Sequence, residues 1–348
     1  MELSHKQTEY IKYFVSNGET LEDLKSLINY IIKLQNDTLG TTYKPVSIKQ
    51  LTFYFANRDK QYFNFEIPKK TGGVRKITAP DLFLKKIQRR INFALDLLFK
   101  PKAAAHGFVT GRSIVSNAKV HVGKKYVYNV DLKDFFPTIH FGRIKAVLQL
   151  HPFKMKPKFA QLIAHICCFE GILPQGAPTS PIITNIICQQ LDKNLVSFAK
   201  FYKCYYTRYA DDLTFSSDKN SFKEKFYEDL VLHLTNAGFA LNEKKTRKQT
   251  RTQRQEVTGI IVNEKLNLQR SYIKKIRAML YNWEKDGLHA CQKNFNQYYP
   301  LEKGFFKNKS VPPFENVVMG KILFLGMVRG KDDKYFLEFF SKYQNLSK

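Results

Sequence analysis

The chain has 348 residues, of which 43% are hydrophobic, so it is long and apolar enough for two or three domains with cores and is not a disordered polymer. It carries 57 Lys and Arg against 30 Asp and Glu, and this net charge of +27, spread along the sequence, favours a nucleic-acid partner over a small anion. Five cysteines without a CxxC pair, and no apolar run typical of a signal peptide or a membrane span, exclude a disulfide or zinc framework and predict a cytoplasmic protein that contacts no membrane.

The N-terminal part is predicted to be helical. Leu24, Ile28 and Ile31 recur at the spacing of one helix face. Ser47 precedes a further apolar segment and is expected to cap another helix. We therefore assign residues 1–60 to an N-terminal helical region.

A hairpin and a basic helix are expected next. Residues 62–67 and 74–78 have the composition of strands, and Gly72-Gly73 between them is a strong turn signal. Residues 82–99 have the apolar periodicity of a helix. The exposed part of this helix is expected to carry Lys85, Lys86, Arg89 and Arg90.

The middle of the chain alternates strands with helices. A strand over 126–132 contains Asp131 near its end, and a hairpin over 205–215 carries Asp211 and Asp212 at its turn. The other predicted elements are helices over about 141–150, from Pro181 onward, over about 221–237 and through the last eighty residues, with strands within 256–268. This order predicts an α+β fold in which helices cover one face of a sheet and the other face stays open.

Three carboxylates lie at the ends of two predicted strands. An Asp-Asp turn is common, so Asp211 and Asp212 alone have an ordinary structural explanation. If the two strands are neighbours, Asp131 joins them, and the three carboxylates suit two Mg²⁺ ions. A two-metal site lowers the pKa of an attacking hydroxyl and stabilises the phosphorus centre and the leaving pyrophosphate. Asp134 is expected to be a cap instead of a ligand.

Three segments, in this order, resemble the palm motifs of reverse transcriptases. They are Asp131-Leu132-Lys133-Asp134-Phe135-Phe136, Gly171-Ile172-Leu173-Pro174-Gln175-Gly176 and Tyr209-Ala210-Asp211-Asp212. The resemblance implies a right-hand polymerase, with an antiparallel palm sheet backed by helices, fingers and a helical thumb. The implied division is fingers over 61–125, palm over 126–265 and a basic thumb over 266–348.

Two more segments narrow the resemblance to retron reverse transcriptases. Asn117-Ala118-Lys119-Val120-His121 resembles their NAxxH segment, and Val257-Thr258-Gly259 resembles their VTG segment. The resemblance implies that Asn117, His121, Val257, Thr258 and Gly259 bind RNA. Outside this frame, Asn117 and His121 would be a helix-face pair with local hydrogen bonds, and the VTG segment an ordinary strand ending in glycine.

The resemblance also assigns residues to the incoming nucleotide. Phe136 is expected to lie beneath the sugar and to exclude a 2′-hydroxyl, which selects deoxynucleotides. Lys69 and Arg75 flank the finger hairpin and are expected to hold the triphosphate, Arg75 being better suited because a guanidinium can pair phosphate oxygens bidentately.

Two further segments complete this nucleotide site. Gln175 and Gly176 are expected to approach the template and the incoming base. Lys245 is expected to lie near the leaving phosphate and to donate a proton.

The implied substrate is a structured noncoding RNA encoded beside the gene. A retron enzyme primes from the 2′-hydroxyl of a guanosine in that RNA and makes a branched RNA–DNA product, the msDNA. The implied partners are this msr-msd RNA, its DNA product, deoxynucleotides, an effector protein in antiphage defence and a host RNase H. The alternatives are a group II intron-like or abortive-infection reverse transcriptase, or a non-catalytic RNA-binding scaffold.

Overall fold

The computed structural model describes residues 3–68, 72–303 and 311–347. The helices are α1 (His5–Asn17), α2 (Leu21–Leu39), α3 (Ile48–Ala56), α4 (Leu82–Leu98), α5 (Ile114–Lys119), α6 (Phe141–Leu148), α7 (Pro157–Cys167), α8 (Ser180–Ile187), α9 (Gln189–Phe201), α10 (Glu224–Asn236), α11 (Arg270–Lys303), α12 (Phe314–Arg329) and α13 (Lys334–Leu346). The strands are β1 (Tyr62–Pro68), β2 (Val74–Pro80), β3 (Tyr126–Lys133), β4 (Tyr205–Tyr209), β5 (Asp212–Ser217), β6 (Ala240–Leu241), β7 (Arg247–Thr250), β8 (Glu256–Val257) and β9 (Ile260–Ile261).

Capping boxes fix where the first helices begin. Ser4, Thr20 and Ser47 each accept a hydrogen bond from the backbone of the third helical residue, whose own side chain accepts a bond from the cap. The apolar stripe of α2 is buried together with that of α4 and the helices behind the sheet. The N-terminal part thus folds as the helices α1 to α3, and it shares one hydrophobic core with the sheet.

The predicted hairpin is β1–β2, an antiparallel pair in which Phe65 is opposite Ile77. The backbone NH of Thr78 donates to the carbonyl of Gln175 over 3.0 Å, which joins the hairpin to the loop before α8. A Cβ at Gly176, where φ is 142°, would stand 2.8 Å from the carbonyl oxygen of Thr78. Glycine is therefore required for this close approach. Lys69 lies outside the described residues.

The central sheet has the order β4-β5-β3-β6, and on the same edge of β3 the strand β7 pairs with residues 126–129 while β6 pairs with residues 132 and 133. All of these pairs are antiparallel. The Cα atoms of Asp131 and Asp212 are direct partners across β3 and β5, so their side chains share one face. The opposite face is buried against helices, with Phe215 in ring contact with Phe198 of α9 and Phe226 of α10. The predicted α+β arrangement, a sheet covered on one face, is confirmed.

A second hydrophobic core joins α11, α12 and α13. The helix α11 is broken at Gly287, where φ is 80° and ψ is 163°. Trp283 contacts Phe314 and Tyr343 there, at centroid distances of 5.9 and 5.4 Å. Val257 and Ile260 also belong to this core, so the segment predicted to end the palm packs with the helices assigned to the thumb. Among the described residues, no helix has both the length and the hydropathy to cross a membrane.

Three expectations about these elements are wrong. The helix predicted from Pro181 onward is two helices, α8 and α9, which meet at Cys188. Within 256–268 only the two-residue strands β8 and β9 form, and the remaining residues are turn, bend or irregular. Arg90 is 4% exposed, because the loop before α3 covers it, and so it does not add to the basic surface of α4.

A buried ion pair holds the sheet to α9. The Arg208 guanidinium donates bidentately to Asp192, from Nε over 2.8 Å and from Nη2 over 2.7 Å. Their side chains are 0% and 1% exposed. Arg208 also donates to the Asn185 side chain over 3.1 Å and to the Ala210 carbonyl over 3.2 Å. The pair therefore fixes the backbone immediately before Asp211.

Replacing Asp192 with Ala should destabilise the fold by about 3–5 kcal/mol, because it leaves the Arg208 charge buried and unpaired. Urea unfolding measures this loss. Glu9→Ala is the matched control, because it breaks an exposed ion pair. The side chains of Glu9 and Lys12 are 49% and 54% exposed. The variant should cost less than about 1 kcal/mol of stability. Equal losses for the two variants would contradict the role given to Asp192.

Candidate active site

Asp131 lies near the end of β3 and is held by two side chains from the segment after β6. Lys245 Nζ donates to its two carboxylate oxygens over 2.9 and 3.1 Å. Asn242 Nδ2 donates to Oδ2 over 3.0 Å, and the backbone NH of Asn242 donates to the Asp131 carbonyl over 2.8 Å. The carboxylate is thus fixed in position and paired with a cation.

Asp211 and Asp212 lie at the tight turn between β4 and β5. Ala210 takes the left-handed backbone conformation there, with φ 57°. A Cβ at Gly107 would stand 2.4 Å from the Ala210 backbone nitrogen, so a glycine lets the neighbouring loop approach the turn. The NH of Leu132 donates to the Asp211 carbonyl over 3.1 Å. The turn is therefore tied directly to the strand that carries Asp131.

The three carboxylates repel one another. The surrounding protein limits the hydration of Asp212, and this desolvation, followed by the charges of Asp211 and Asp131, raises the pKa of Asp212 to about 7. Desolvation and Asp131 likewise raise the pKa of Asp211, while Lys245 and Arg75 oppose the rise. Asp212 is nevertheless accessible to solvent, since it lies in an open cleft. The site therefore concentrates negative charge where a cation could reach it.

The cleft around these carboxylates has a volume of about 680 Å³. It is lined by Ile114, Asn129, Val130, Asp131, Tyr209, Asp212, Thr214, Lys244, Lys245, Arg247, Thr258 and Gly259. Three cationic side chains therefore surround two carboxylates at its wall. This combination suits an anionic ligand that arrives with a divalent cation.

Hard carboxylate oxygens are the donors that Mg²⁺ prefers, so the chemistry of the three side chains fits such an ion. Within the described ranges, however, no group of three or more acidic, His or Cys side chains stands in the arrangement of a metal site. The contacts of Asp131 explain this, because Lys245 and Asn242 occupy its oxygens. A metal ion would have to displace the Lys245 ammonium.

Three of the residues predicted to contact the incoming nucleotide are Arg75, Phe136 and Lys245. Arg75 is exposed on β2, and its charge lowers the pKa of Asp211, which places it on the carboxylate side of the hairpin. Phe136 is half-buried and packs edge-on against Phe135, with ring centroids 5.5 Å apart. Lys245 is in direct contact with Asp131.

Gln175 and Gly176 are also predicted to contact the nucleotide or its template. They belong to the loop that is hydrogen-bonded to β2. Gln175 is half-buried and Gly176 is exposed. The loop therefore connects the finger hairpin to the sheet.

The structure does not bring Asn117 or His121 to the surface, where RNA could touch them. His121 is 0% exposed, and its two ring nitrogens lie 2.7 Å from Ser216 Oγ and 2.7 Å from Thr207 Oγ1. Burial lowers the pKa of His121 to about 3, so the ring is neutral. Asn117 is 1% exposed, and neither amide atom has a hydrogen-bond partner among the described residues. Direct RNA contact by these two side chains is corrected to a buried role that ties α5 to the sheet.

The VTG segment is divided between core and cleft. Val257 is 0% exposed in the second core, so it too is corrected from an RNA contact to a packing residue. Thr258 and Gly259 line the cleft, and Thr258 Oγ1 donates to the Ile114 carbonyl at the start of α5 over 3.2 Å. The NAxxH and VTG segments thus form one unit, in which α5 supports the turn that faces the carboxylates.

Several residues of the site were not singled out from the sequence. Asn242 orients Asp131, and Arg247 and Lys244 add charge to the cleft. The pair of Arg208 and Asp192 fixes the Asp211 turn. A polar residue inside an apolar strand, such as Arg208 between Tyr206 and Tyr209, is the signal that could have identified the pair.

A sheet that presents two carboxylates to an open, cation-lined cleft, with a third beside them at the turn, suits metal-dependent nucleotidyl transfer. The family model described as "Reverse transcriptase (RNA-dependent DNA polymerase)" matches residues 67–263, more than half of the chain. The chain therefore belongs to the reverse transcriptase family, and the predicted enzyme class is confirmed.

Several of the curated relatives are named as retron reverse transcriptases. The Retron Mx65 reverse transcriptase of Myxococcus xanthus is 37% identical over 256 residues, which are 68% of this chain and 60% of that protein. The Retron Ec86 reverse transcriptase of Escherichia coli is 32% identical over 241 residues, 68% of this chain and 74% of that one. The chain thus spans about three fifths of the Mx65 enzyme.

Among solved structures, telomerase from Candida albicans in complex with a fragment of telomeric RNA aligns at a TM-score of 0.43 and 10% identity. The alignment covers 87% of this chain and 68% of that one. A likeness at this level does not enter the assignment.

The raised pKa of Asp212 has a consequence for stability. A carboxyl whose folded pKa lies above its unfolded value favours the folded state while it is protonated, and this contribution is lost as the pH rises through about 7. Asp212→Asn should therefore raise the melting temperature of the metal-free protein at pH 8 and raise it much less at pH 5, where the folded carboxyl is still protonated. Thermal unfolding in the presence of a chelator measures both values. A melting temperature that falls at pH 8 would show that the carboxylate is not electrostatically strained.

Proposed function

We propose that the protein is a retron polymerase that copies RNA into DNA. The observation that supports this most strongly is the register of β3 and β5, which makes Asp131 and Asp212 direct neighbours beside Asp211 in a cation-lined cleft. The proposed reaction is attack of a 3′-hydroxyl on the α-phosphorus of a deoxynucleoside triphosphate. A new phosphodiester bond forms, the bond to the β-phosphate oxygen breaks, and pyrophosphate leaves.

Asp131, Asp211 and Asp212 would hold two Mg²⁺ ions in this proposal. When bound, the ions supply Lewis acidity toward the attacking hydroxyl and the leaving pyrophosphate. Lys245 neutralises Asp131 before the nucleotide arrives, at 2.9 Å. In this proposal Lys245 then gives a proton to the leaving group. Asn242 keeps the Asp131 carboxylate oriented throughout.

The nucleotide is positioned by residues from both sides of the cleft. Arg75 would clamp the triphosphate together with Lys69, because a guanidinium matches phosphate oxygens bidentately. Gln175 and Gly176 would approach the template and the incoming base, since their loop joins the finger hairpin to the sheet. Phe136 would bar a 2′-hydroxyl with its half-exposed ring.

The proposed template and primer is a structured noncoding RNA of the msr-msd kind. Synthesis would begin at the 2′-hydroxyl of a guanosine in that RNA and give a branched RNA–DNA molecule, which host RNase H trims in the cytoplasm. Thr258 and Gly259 support this proposal because they line the same cleft as the carboxylates, and a net charge of +27 suits a long RNA contact. Antiphage defence with an effector protein is part of the proposal.

Asp212→Asn should abolish DNA synthesis, with a loss of at least about a thousandfold, while RNA affinity stays within about twofold. Primer extension and filter binding measure the two properties. Asp134→Asn is the matched control, since Asp134 is an exposed carboxylate just past the end of β3 with φ 47°, a conformation that Asn tolerates. Full-length product from the Asp212 variant would leave the RNA-binding scaffold as the better description.

Phe136→Ala should relax discrimination against ribonucleotides by about tenfold or more, because the ring would no longer block the 2′-hydroxyl. Single-nucleotide incorporation of dNTP and rNTP gives the ratio of kcat/KM values. Phe159→Leu serves as the control, since Phe159 is a fully buried ring of α7 and the described ring contact of Phe136 is with Phe135. Unchanged discrimination in the Phe136 variant would assign that ring to packing as well.

A further inference from the structure

A pocket of about 320 Å³ lies in the N-terminal region, between α2, α3, α4 and the segment that joins α2 to α3. It is lined by Ile28, Ile32, Thr42, Tyr43, Lys44, Pro45, Val46, Gln50, Phe83, Lys86 and Arg90. None of these residues lines the cleft that holds the carboxylates. We call it the N-terminal pocket, and its size is at the lower end of small-molecule sites.

Arg90 is the feature of this pocket that calls for a ligand. Its side chain is buried, yet within the described ranges it has no carboxylate partner. Its Nη1 donates to the Lys86 carbonyl over 3.1 Å, its guanidinium lies 4.6 Å from the Tyr43 ring centroid, and its Nε has no hydrogen-bond partner. Burial lowers its pKa from the usual value. A buried cation without a counter-ion is costly, and a bound anion would relieve that cost.

The walls of the pocket are held in place without a ligand. The Asn36 side chain accepts from the backbone NH of Tyr43 over 2.9 Å and donates to its carbonyl over 3.0 Å. Asn29 makes the same pair of bonds to Val46, over 2.7 and 2.9 Å. Two side chains of α2 thus hold Tyr43 and Val46, at both ends of the stretch that forms this wall of the pocket. A preformed site binds at a lower entropic cost.

The chemistry of the lining residues selects the ligand. Lys44 and Lys86 are exposed beside Arg90, and no acidic residue lines the pocket, so the ligand is an anion. Most of the remaining wall is apolar, with the flat rings of Tyr43 and Phe83, and this suits a planar base better than a bare inorganic ion. We propose that the N-terminal pocket binds one nucleotide, with its phosphate on Arg90, Lys44 and Lys86 and its base against the rings. The nucleotide is a free nucleoside monophosphate or an unpaired nucleotide of a bound RNA.

Calorimetry on the full chain with AMP, adenosine and inorganic phosphate tests the proposal. AMP should bind at least about tenfold more tightly than either fragment, because only AMP uses the cations and the apolar wall together. Lys44→Gln with Lys86→Gln should weaken AMP about tenfold or more. The matched control is Lys85→Gln with Arg89→Gln, which removes the same charge from α4 outside the pocket and should leave AMP affinity unchanged. Equal AMP affinity in the two double variants would overturn the proposal, unless the RNA experiment below shows pocket-dependent crosslinking.

A second experiment separates the two sources of the nucleotide. An RNA hairpin with 4-thiouridine in its loop is bound to the protein and irradiated, and the crosslinked peptide is identified by mass spectrometry. A crosslink at Tyr43 that is lost in the Lys44 and Lys86 double variant assigns the pocket to an RNA nucleotide. If AMP binding is weakened in the Lys44 and Lys86 double variant but no such crosslink forms, the pocket binds a free nucleotide. If neither result is obtained, the pocket is not a nucleotide site. Neither experiment measures polymerisation, so failure here is distinguishable from failure of the proposed function.

Discussion

The repulsion among three carboxylates is the constraint that the rest of this structure has to counteract. Asp131 and Asp212 are fixed as cross-strand neighbours, and the turn brings Asp211 beside them. Desolvation, followed by the charges of Asp211 and Asp131, raises the pKa of Asp212 to about 7, so the fold itself maintains an unfavourable concentration of charge. The Lys245 ammonium relieves part of it at Asp131. In the proposed reaction, divalent cations take over this role.

The rest of the fold holds the carboxylates against that repulsion. The buried pair of Arg208 and Asp192 anchors the backbone before the turn, and the turn that follows α5 places the neutral His121 against the sheet. The helix α5 also accepts a hydrogen bond from Thr258 at the cleft. The NAxxH and VTG segments therefore act together, although only the VTG segment reaches the cleft. The N-terminal pocket is separate from all of these contacts and would add a second place where a nucleotide meets the protein.

The amino-acid sequence predicts those parts of the structure that depend on local pattern. The finger hairpin, α4 and the turn at Asp211 follow from periodicity and turn residues, and the order of the motifs identifies the family. Burial was harder to predict. Arg90, Asn117 and His121 are polar and looked like surface residues, because a sequence does not show which loop will cover them. The partners of Asp131 come from residues more than a hundred positions away, so only the three-dimensional structure identifies Asn242.

Binding of Mn²⁺, followed by electron paramagnetic resonance at pH 8, tests the central claim most directly. If the three carboxylates form one cation site from which Lys245 is displaced, Asp131→Asn should weaken Mn²⁺ binding and Lys245→Met should strengthen it. Asp134→Asn should change neither the affinity nor the spectrum. Mn²⁺ affinity that is the same in the wild type, the Asp131 variant and the Lys245 variant would contradict a shared metal site at these residues.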